Sequence, residues 1–271
     1  MKDKTPIVST KSTSGDLGVT IFLYDGTFEG LLTAVFDAYA RKQFPQELTV
    51  EKKPLLFTDT YTVVTDTEKS DRVLQGLQKR LSKYAMEMLF TCFLSEQEEV
   101  ANAIFRYACK TFAAQKSIEL NFADPDVLLL SQIYKKVKRE AQLMQQFVRF
   151  QKTADGIFFS YIEPRYNVLP CVADFFEDRF ADQQWIIYDA KRKYALYYDL
   201  QKTEIVNFEQ LGVNSETGEL SAEQSANDEL DFQHLWKEYL QSVTIRQRIN
   251  PQLQRQHMPR RFWKYLPEKR K

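Results

Sequence analysis

The hydrophobic period of the sequence changes once, close to Gly156, and this change constrains the fold more than any other feature. Before it, apolar residues recur every three to four positions, a spacing typical of helices that bury one face. After it, short runs rich in aromatic and β-branched residues are typical of strands. The sequence therefore predicts an α+β protein, with a mainly helical region over 19–154 and a sheet region over 155–271, which form one or two domains.

The helical region begins with a short predicted strand over 19–24, which leads into a helix over 27–42 whose apolar residues share one face. A long helical segment is predicted from about Glu68. The Asp-Pro pair at 124–125 is typical of a helix N-terminus, because aspartate caps the first turn and proline suits its first position. This helix is predicted to run toward Phe147.

The sheet region contains four predicted strands, which a short helix over 170–180 interrupts. A tight hairpin at 190–193 joins the second strand to the third. The strands cover 157–163, 185–189, 194–199 and 203–208. These elements predict an antiparallel sheet with helices to one side.

Two polar stretches are predicted to lie outside the packed elements. Residues 1–18 are rich in serine and threonine and have no apolar core like that of a signal peptide, so we predict a disordered leader. Residues 209–231 contain seven acidic residues and no lysine or arginine, a composition typical of a mobile loop. That loop is either a solvated linker or a shield for the basic segment that follows it.

The composition favours a cytoplasmic protein without a membrane segment. No stretch approaches the roughly 20 apolar residues of a membrane span. The three cysteines, Cys92, Cys109 and Cys171, are far apart and lie among apolar residues, which suits a reducing compartment. None of them is predicted to bind a metal.

The segment from Arg246 to Lys271 carries nine basic residues and one acid, Glu268, so its charge is about +8. Because the whole chain has 37 basic and 37 acidic residues, the remainder carries about −8. Such an asymmetric chain is predicted to bind an acidic surface, for which the phosphate backbone of a nucleic acid is the usual candidate. The predicted phosphate contacts are Arg246, Arg248, Arg255, Arg260, Arg261 and Lys264.

Aromatic residues and one histidine lie among these charges. Phe262 and Trp263 are predicted to stack on bases or to anchor the segment, and His257 is predicted to meet a phosphate or a base. The same run is also consistent with a solvated helix end, with Trp263 packed in the core. Both interpretations are open from the sequence.

A turn at 163–170, with the sequence EPRYNVLP, is a second candidate contact with nucleic acid. Its two prolines fix the ends of a loop that holds Arg165 and Asn167. Arginine grips phosphate and the asparagine amide reads a base edge, so these side chains are predicted to contact backbone or base. The alternative is a rigid connection whose polar groups satisfy nearby backbone.

Several common catalytic motifs are absent from the sequence, which has no GxxxxGK[ST] phosphate loop, no GxGxxG, no GxSxG and no HExxH. The remaining candidate reaction is metal-dependent phosphodiester cleavage, in which carboxylates hold a divalent ion and a lysine orients water. Asp174, Asp189 and Lys191 fit those roles, as a helix acid followed by a D-x-K at a strand end. Hairpin turns favour such residues as well, so the pattern also has a structural explanation.

Three stretches of the chain resemble one bacterial family. They are YDGTFEGLLTAVFDAY at 24–39, PRYNVLP with RFADQQWIIYDAKRKYALYYD within 164–199, and LWKEYL with RINPQLQRQHMPRRFWKYLPE within 235–268. The last contains N-P-x-x-x-x-x-H-M-P-x-x-x-W-x-x-L, which is long and distinctive. On these residues, nearly the whole chain after residue 18 resembles the family labelled "probable DNA metabolism protein", whose core is a domain of unknown function.

The resemblance implies a place in DNA repair or modification. Members of that family are generally encoded beside a putative radical-SAM protein, and the domain also occurs fused to a uracil-DNA glycosylase-like domain. This chain has neither the cysteine cluster of that partner nor the glycosylase motifs, so the resemblance assigns it neither activity. It implies a partner and supplies no catalytic residues.

The sequence supports three functional hypotheses. The first is a cytoplasmic DNA-binding accessory protein that positions DNA for a radical-SAM or glycosylase partner and needs no cofactor of its own. The second is an enzyme that acts on DNA or nucleotides with a divalent metal near Asp174 and Asp189. The third is a protein-interaction module whose basic tail binds an acidic partner surface.

Overall fold

A computed structural model describes residues 19–51, 58–207 and 212–269, and the predicted leader over 1–18 lies outside them. Contacts between Cα atoms divide the chain into two compact units. The first joins Met1–Lys83 to Ala101–Leu120, and the second joins Tyr84–Val100 to Asn121–Lys271. The change of period at Gly156 lies inside the second unit, and the two predicted regions, 19–154 and 155–271, stay predictions.

The first unit contains a three-stranded parallel sheet. β1 (Val19–Leu23) is its central strand, flanked by β2 (Glu47–Thr49) and β3 (Thr58–Thr62). Helix α1 (Phe28–Arg41) carries the chain from β1 to β2, and such a crossover lets the two strands run parallel. The hydroxyl of Thr27 accepts an N–H of the first helical turn at 2.9 Å, and the predicted first helix is confirmed.

The long helical segment predicted from Glu68 is two helices, α2 (Thr67–Gln78) and α3 (Lys83–Phe93). The turn between the two helices is held by residues far away in the sequence. The guanidinium group of Arg80 donates to main-chain carbonyls within 111–114 at 3.2–3.3 Å and thereby fixes the turn between the helices. Because no proline or glycine lies in that turn, the spacing of apolar residues alone could not reveal it.

Helix α4 (Glu98–Ala113) is followed by α5 (Pro125–Phe147), and the predicted course of α5 is confirmed. The Asp124 carboxylate accepts the N–H groups of Asp126 and Val127 at 2.9 and 3.4 Å. These bonds satisfy donors that have no partner within the helix. The cap predicted from the sequence is therefore the one that the helix uses.

The second unit is built on a five-stranded sheet whose strands lie side by side in chain order. They are β4 (Gln151–Lys152), β5 (Phe158–Ile162), β6 (Trp185–Asp189), β7 (Tyr194–Tyr198) and β8 (Thr203–Val206). Helix α6 (Leu169–Arg179) follows β5 and packs on the sheet, with the Phe176 ring 6.0 Å from that of Trp185. Phe208, at the end of the predicted fourth strand, lies outside the described residues.

This sheet is mixed, whereas the sequence predicted an antiparallel one. β5 and β6 pair in parallel, with Phe158 opposite Trp185, because α6 returns the chain across the sheet before β6 begins. The other three pairs are antiparallel, including the predicted hairpin between β6 and β7. The α+β class is thus confirmed, and the antiparallel description is corrected for one pair of strands.

The remaining described elements are α7 (Glu229–Val243), a 3₁₀ turn at Arg246–Arg248, α8 (Pro251–His257) and a 3₁₀ helix at Arg260–Tyr265. The described part of the predicted acidic loop is attached to the sheet, since the Gln151 side-chain amide donates to the Gly218 carbonyl at 2.8 Å. Residues 209–211, 270 and 271 lie outside the described ranges. Within those ranges, no helix is long and apolar enough to cross a bilayer.

Candidate nucleic-acid interface

Three stretches that are far apart in the sequence meet at one groove of the second unit, with a volume of about 530 Å³. They are the turn after β5, the hairpin between β6 and β7, and the 3₁₀ helix near the C-terminus. The groove is lined by Glu163, Pro164, Arg165, Lys191, Arg260, Arg261 and Lys264. We call these seven residues the basic groove. The structure therefore brings Arg165 of the predicted turn together with three of the predicted C-terminal cations.

The C-terminal 3₁₀ helix is fixed in place by its apolar side chains. Phe262, Tyr265 and Leu266 are buried, and the Phe262 ring stacks on Phe147 of α5 with centroids 5.7 Å apart. Trp263 is half-buried, and its indole N–H donates to a main-chain carbonyl at 3.0 Å. Phe262 thus anchors the segment and cannot stack on a base, whereas part of Trp263 reaches solvent.

A buried carboxylate joins two walls of the basic groove. Glu140 on α5 accepts the backbone N–H of Arg165 at 2.8 Å and forms an ion pair with the guanidinium group of Arg261. Arg261 also lies over the Phe262 ring, 4.4 Å from its centroid. Because Glu140 neutralises Arg261, this arginine holds the C-terminal helix against the turn and offers less charge to a ligand.

Arg192, in the hairpin between β6 and β7, positions the turn after β5. Its guanidinium group donates to Asp189 at 2.8 Å, to Glu96 at 2.7 and 2.8 Å, and to the carbonyls of Pro164 and Arg165 at 3.3 Å. The Arg192 side chain is only 9% exposed and Asp189 is fully buried, so the bond between them is largely shielded from water, whereas Glu96 reaches solvent. Sequence reasoning missed Arg192, for which the signal was an acid and an arginine three residues apart across a tight hairpin.

Asp174 and Asp189, the predicted metal ligands, have different surroundings. Asp174 is exposed on α6, whereas Asp189 is fully buried and accepts the N–H groups of Lys191 and Arg192 at 2.9 and 3.2 Å. Burial raises the pKa of Asp189, and the bonds from Arg192 oppose that rise. The Lys191 amine donates to the Arg165 carbonyl at 3.1 Å. The D-x-K pattern therefore has a structural role in this hairpin.

No metal-binding cluster accompanies these residues. In the part of the chain that the structure describes, no three His, Cys, Asp or Glu side chains are grouped so that they could hold a metal ion. Metal-dependent phosphodiester cleavage needs such a group to hold the ion and orient the nucleophile. The hypothesis of a divalent metal near Asp174 and Asp189 thus finds no ligand set among the described residues.

Glu163 is the acid of the basic groove. It accepts a hydrogen bond from the Lys264 amine and another from the Tyr265 hydroxyl, both at 2.7 Å. These bonds, the one from Lys264 first, lower the pKa of Glu163, while burial and the bond to Glu163 raise the pKa of Tyr265. With five cations and one carboxylate at neutral pH, the groove has a net charge of about +4.

Arg165 and Arg260 are the exposed arginines of the groove. Among the residues that the structure describes, neither guanidinium group is paired with a carboxylate. The guanidinium group of Arg260 lies 5.8 Å from the centroid of the Trp263 ring. Among the described residues, no carboxylate accepts its N–H groups. An unpaired guanidinium group presents a planar set of donors that matches a phosphate.

Asn167, predicted to read a base edge, is committed to the fold. Its amide oxygen accepts the Tyr194 hydroxyl at 2.5 Å, and its backbone N–H donates to the Leu94 carbonyl at 3.0 Å. The turn at 163–170 is therefore partly the rigid connection that the sequence left open as an alternative. Arg165 is the cation of this turn that reaches solvent in the groove, beside the exposed Glu163.

The other predicted contacts lie away from the basic groove. Arg246, Arg248, Arg255 and His257 are all exposed, in the stretch from the end of α7 through α8. Arg248 and His257 line a separate groove of about 530 Å³, together with apolar side chains of that stretch. The basic C-terminal segment is thus divided between two surfaces. Arg260, Arg261 and Lys264 contribute to the basic groove, and the cations before them do not.

Comparison with known families identifies the stretch that carries the basic groove. The model of the family described as "Domain of unknown function (DUF4130)" matches residues 98–268, which is well over half of the chain. The matched residues include every residue of the basic groove. No curated protein and no solved structure matches the chain.

Proposed function

This chain belongs to the DUF4130 family, and we propose that it is a DNA-binding accessory protein in DNA repair or modification. The observation that carries the proposal is the basic groove, where Arg165, Lys191, Arg260, Arg261 and Lys264 converge from three segments. A net charge of about +4 on one concave surface attracts a phosphate backbone, because the potentials of neighbouring cations add and each contact releases a condensed counterion.

The cations of the groove contribute unequally in this proposal. Arg165 and Arg260 are exposed and contact phosphates directly. Arg261 and Lys264 share their charges with Glu140 and Glu163, so each adds less to binding than an unpaired cation. The half-buried Trp263 ring beside the groove is covered by Arg260 and Lys269, so it positions cations in this proposal and does not stack on a base.

The proposed partner is a radical-SAM or glycosylase protein that acts on the DNA held in the groove. This part of the proposal is supported by the resemblance of the stretches at 24–39, 164–199 and 235–268 to a family encoded beside or fused to such proteins. The chain supplies a DNA-binding surface, needs no cofactor of its own and acts in the cytoplasm. The partner supplies the chemistry.

Fluorescence anisotropy tests the groove. We expect labelled single-stranded, double-stranded or uracil-containing DNA to bind the protein across a salt series, and the double variant Arg165→Ala with Arg260→Ala to bind more weakly at every salt concentration. Because each phosphate contact releases about one counterion, the log-log salt slope of the variant falls by roughly two. Both side chains are exposed, so the fold of the variant is preserved.

The double variant Arg246→Ala with Arg248→Ala is the matched control. It removes the same charge from exposed residues of the same basic segment, outside the groove. We expect its salt slope to stay close to that of the unmodified protein. An equal loss in both double variants means that net charge, and not the groove, sets the affinity; binding that is insensitive to salt overturns the proposal.

A second candidate function, the binding of a protein partner, is favoured by α7. Large apolar side chains on this helix are between 52 and 68% exposed: Leu230, Phe232, Leu235, Tyr239 and Val243. Of these, Phe232, Leu235, Tyr239 and Val243 recur every three to four positions and so share one face of the helix. An exposed apolar face marks a site of association in soluble proteins. We expect the double variant Leu235→Ser with Tyr239→Ser to abolish co-purification with the proposed partner protein, at a salt concentration high enough to dissociate DNA from the protein. Glu238→Ser with Gln241→Ser, on the same helix, is the control that retains it.

A further inference from the structure

The second unit also contains a larger pocket that shares no residue with the basic groove. Its volume is about 660 Å³, which lies within the range of pockets that bind small molecules. It is formed by the end of α5, strands β4 and β5, and helices α6 and α7. Seven of its sixteen lining residues are aromatic, with Phe150, Phe158, Phe175, Phe180, Phe232 and Trp236 among them.

Some of these rings belong to the core and others are open to solvent. Phe176 is buried, lies parallel to Phe180 with centroids 6.1 Å apart, and makes a stable wall. Phe175, Phe232 and Trp236 are 38, 56 and 36% exposed. The Trp236 ring stacks on Tyr239 and has Arg149 over it, so Phe175 and Phe232 are the exposed rings that offer a face to a flat aromatic ligand.

The polar groups of the pocket fall into two classes. Arg149 is committed to the fold, since its guanidinium group donates to Glu268 at 2.9 and 3.2 Å and to main-chain carbonyls at 3.0 and 3.1 Å. Glu229 is committed as well, because it accepts the Lys152 N–H and the Gln233 amide, both at 2.8 Å. These two charged side chains therefore hold the walls together and are not available to a ligand.

Three other polar side chains of the pocket have no such commitment. Within the described ranges, no carboxylate pairs with Arg179, and the side-chain amides of Gln145 and Gln146 have no hydrogen-bond partner. The Arg179 guanidinium group lies 5.7 Å from the Phe180 ring. An unpaired arginine selects an anionic group, and amides that both donate and accept match the edge of a nucleobase.

We propose that this aromatic pocket binds a nucleobase that carries a phosphate. The base stacks on the exposed rings of Phe175 and Phe232, the glutamine amides meet its edge, and Arg179 pairs with the phosphate. A lining of aromatic rings with few aliphatic side chains fits a flat π system better than an acyl chain. This inference deepens the proposed function and rests on it where the base belongs to a DNA strand; a free nucleotide has the same chemistry.

Four variants test the pocket. Phe175→Ala removes an exposed ring and Arg179→Ala removes the unpaired cation, and both side chains are exposed enough for the fold to survive. Phe122→Ala and Arg139→Ala are the matched controls, because they make the same changes at exposed positions outside the pocket. Far-UV circular dichroism of each variant verifies that it is folded.

The first arm measures the binding of the four deoxynucleoside monophosphates by isothermal titration calorimetry. The second compares a labelled single-stranded oligonucleotide with the same strand containing abasic sites, by anisotropy. In each arm in which binding is detected, we expect Phe175→Ala to weaken the binding by roughly 5- to 100-fold, the range for loss of one stacked base. Arg179→Ala weakens it as well, and the two controls leave it unchanged.

The two arms separate this inference from the proposed function. Monophosphate binding that the pocket variants lose supports a free nucleotide as ligand, even if no DNA binds. Tighter binding of the intact strand than of the abasic strand, lost in Phe175→Ala, supports a base within DNA. If monophosphates do not bind and both strands bind equally, the inference is overturned, while Arg165→Ala with Arg260→Ala still tests the groove. Monophosphate binding that survives in both pocket variants overturns it too.

Discussion

The guanidinium group of Arg261 pairs with Glu140, a carboxylate that is only 4% exposed and lies 121 positions away in the sequence. The same carboxylate accepts the backbone N–H of Arg165. One buried acid on α5 therefore orders both the turn after β5 and the C-terminal 3₁₀ helix. The arginines of the basic groove are brought together by this acid, so the groove depends on a residue that does not line it.

We expect Glu140→Gln to destabilise the protein by about 1–3 kcal/mol, because it leaves Arg261 unpaired and weakens the acceptor of the Arg165 N–H. The cost stays below that of a fully buried pair, since the Arg261 side chain is 35% exposed and reaches water. Urea unfolding measures the change. Glu87→Gln breaks the exposed pair with Lys138 and costs at most about 1 kcal/mol. Equal costs for the two variants contradict the special role of Glu140.

Arg192→Ala leaves the fully buried Asp189 without its cation and removes the donors that hold two carbonyls of the turn. We expect a loss of about 3–5 kcal/mol in the free energy of unfolding at neutral pH. The double variant Asp189→Ala with Arg192→Ala costs less than the sum of the two single changes, because the stranded charge is removed. Strict additivity in a double-mutant cycle contradicts this account.

The pH dependence of Arg192→Ala follows from the pKa of Asp189, which burial raises above its ordinary value of 3.8. A raised folded pKa means that the stability linked to this group is present below pH 3.8 and is lost as the pH rises through the folded pKa. Without Arg192 the pKa rises further. The difference in unfolding free energy between the unmodified protein and the variant therefore grows from acid to neutral pH, and a constant difference rejects the explanation.

Local signals in the sequence were enough to predict some elements. The helix predicted over 27–42 spans Phe28–Arg41, and the Asp-Pro pair at 124–125 begins its helix as predicted, because caps and helical periodicity act within a few residues. The prediction of an antiparallel sheet was wrong for β5 and β6, which pair in parallel, because the composition of a strand does not encode its direction relative to its neighbour. Arg192 pairs locally with Asp189, but its role in positioning the turn was missed because its other partners, such as Glu96, 96 positions away, are distant in the sequence.

The charged residues of the candidate site could be predicted from the sequence, whereas their convergence on one groove could not. The sequence singled out Arg165, Arg260, Arg261 and Lys264, and the structure brings these four together in one groove. The sequence could not show that these residues lie on a different surface from the cations at 246–255, because the packing of the segment, and not its composition, determines which basic residues lie together. Burial of Phe262 makes that separation, since it fixes only the last part of the segment on the fold.

Two glycines with positive φ provide a matched test of the contact between the acidic stretch and the sheet. Gly218 has φ +70°, and a Cβ atom there lies 2.8 Å from the Cβ of Tyr161. Gly156 has φ +88° with nothing within 4 Å of such an atom. We expect Gly156→Ala to cost about 1 kcal/mol, the conformational penalty alone, and Gly218→Ala to cost about 2–4 kcal/mol, since a clash is added. Equal costs in thermal unfolding contradict the close packing at Tyr161.

The last prediction concerns pH and the acid of the basic groove. The hydrogen bonds from Lys264 and Tyr265 lower the pKa of Glu163 below its ordinary value of 4.5. The carboxylate therefore stabilises the folded protein above pH 4.5, and this contribution is lost as the pH falls through the lowered pKa. Protonation of Glu163 at that point raises the net charge of the groove by about one, so the affinity of the groove for DNA rises.

Glu163→Gln should reproduce that gain at neutral pH. We expect the variant to bind single-stranded DNA roughly two- to fivefold more tightly, the value of one exposed ion pair, and to lose the increase in affinity at acid pH. Glu204→Gln is the control, because Glu204 pairs with Lys202 on β8, outside the groove. Anisotropy titrations from neutral pH down through the lowered pKa of Glu163, below its ordinary value of 4.5, decide between the alternatives. Parallel curves for the two variants mean that Glu163 does not regulate the groove, whereas a flat curve for Glu163→Gln alone assigns the regulation to this carboxylate.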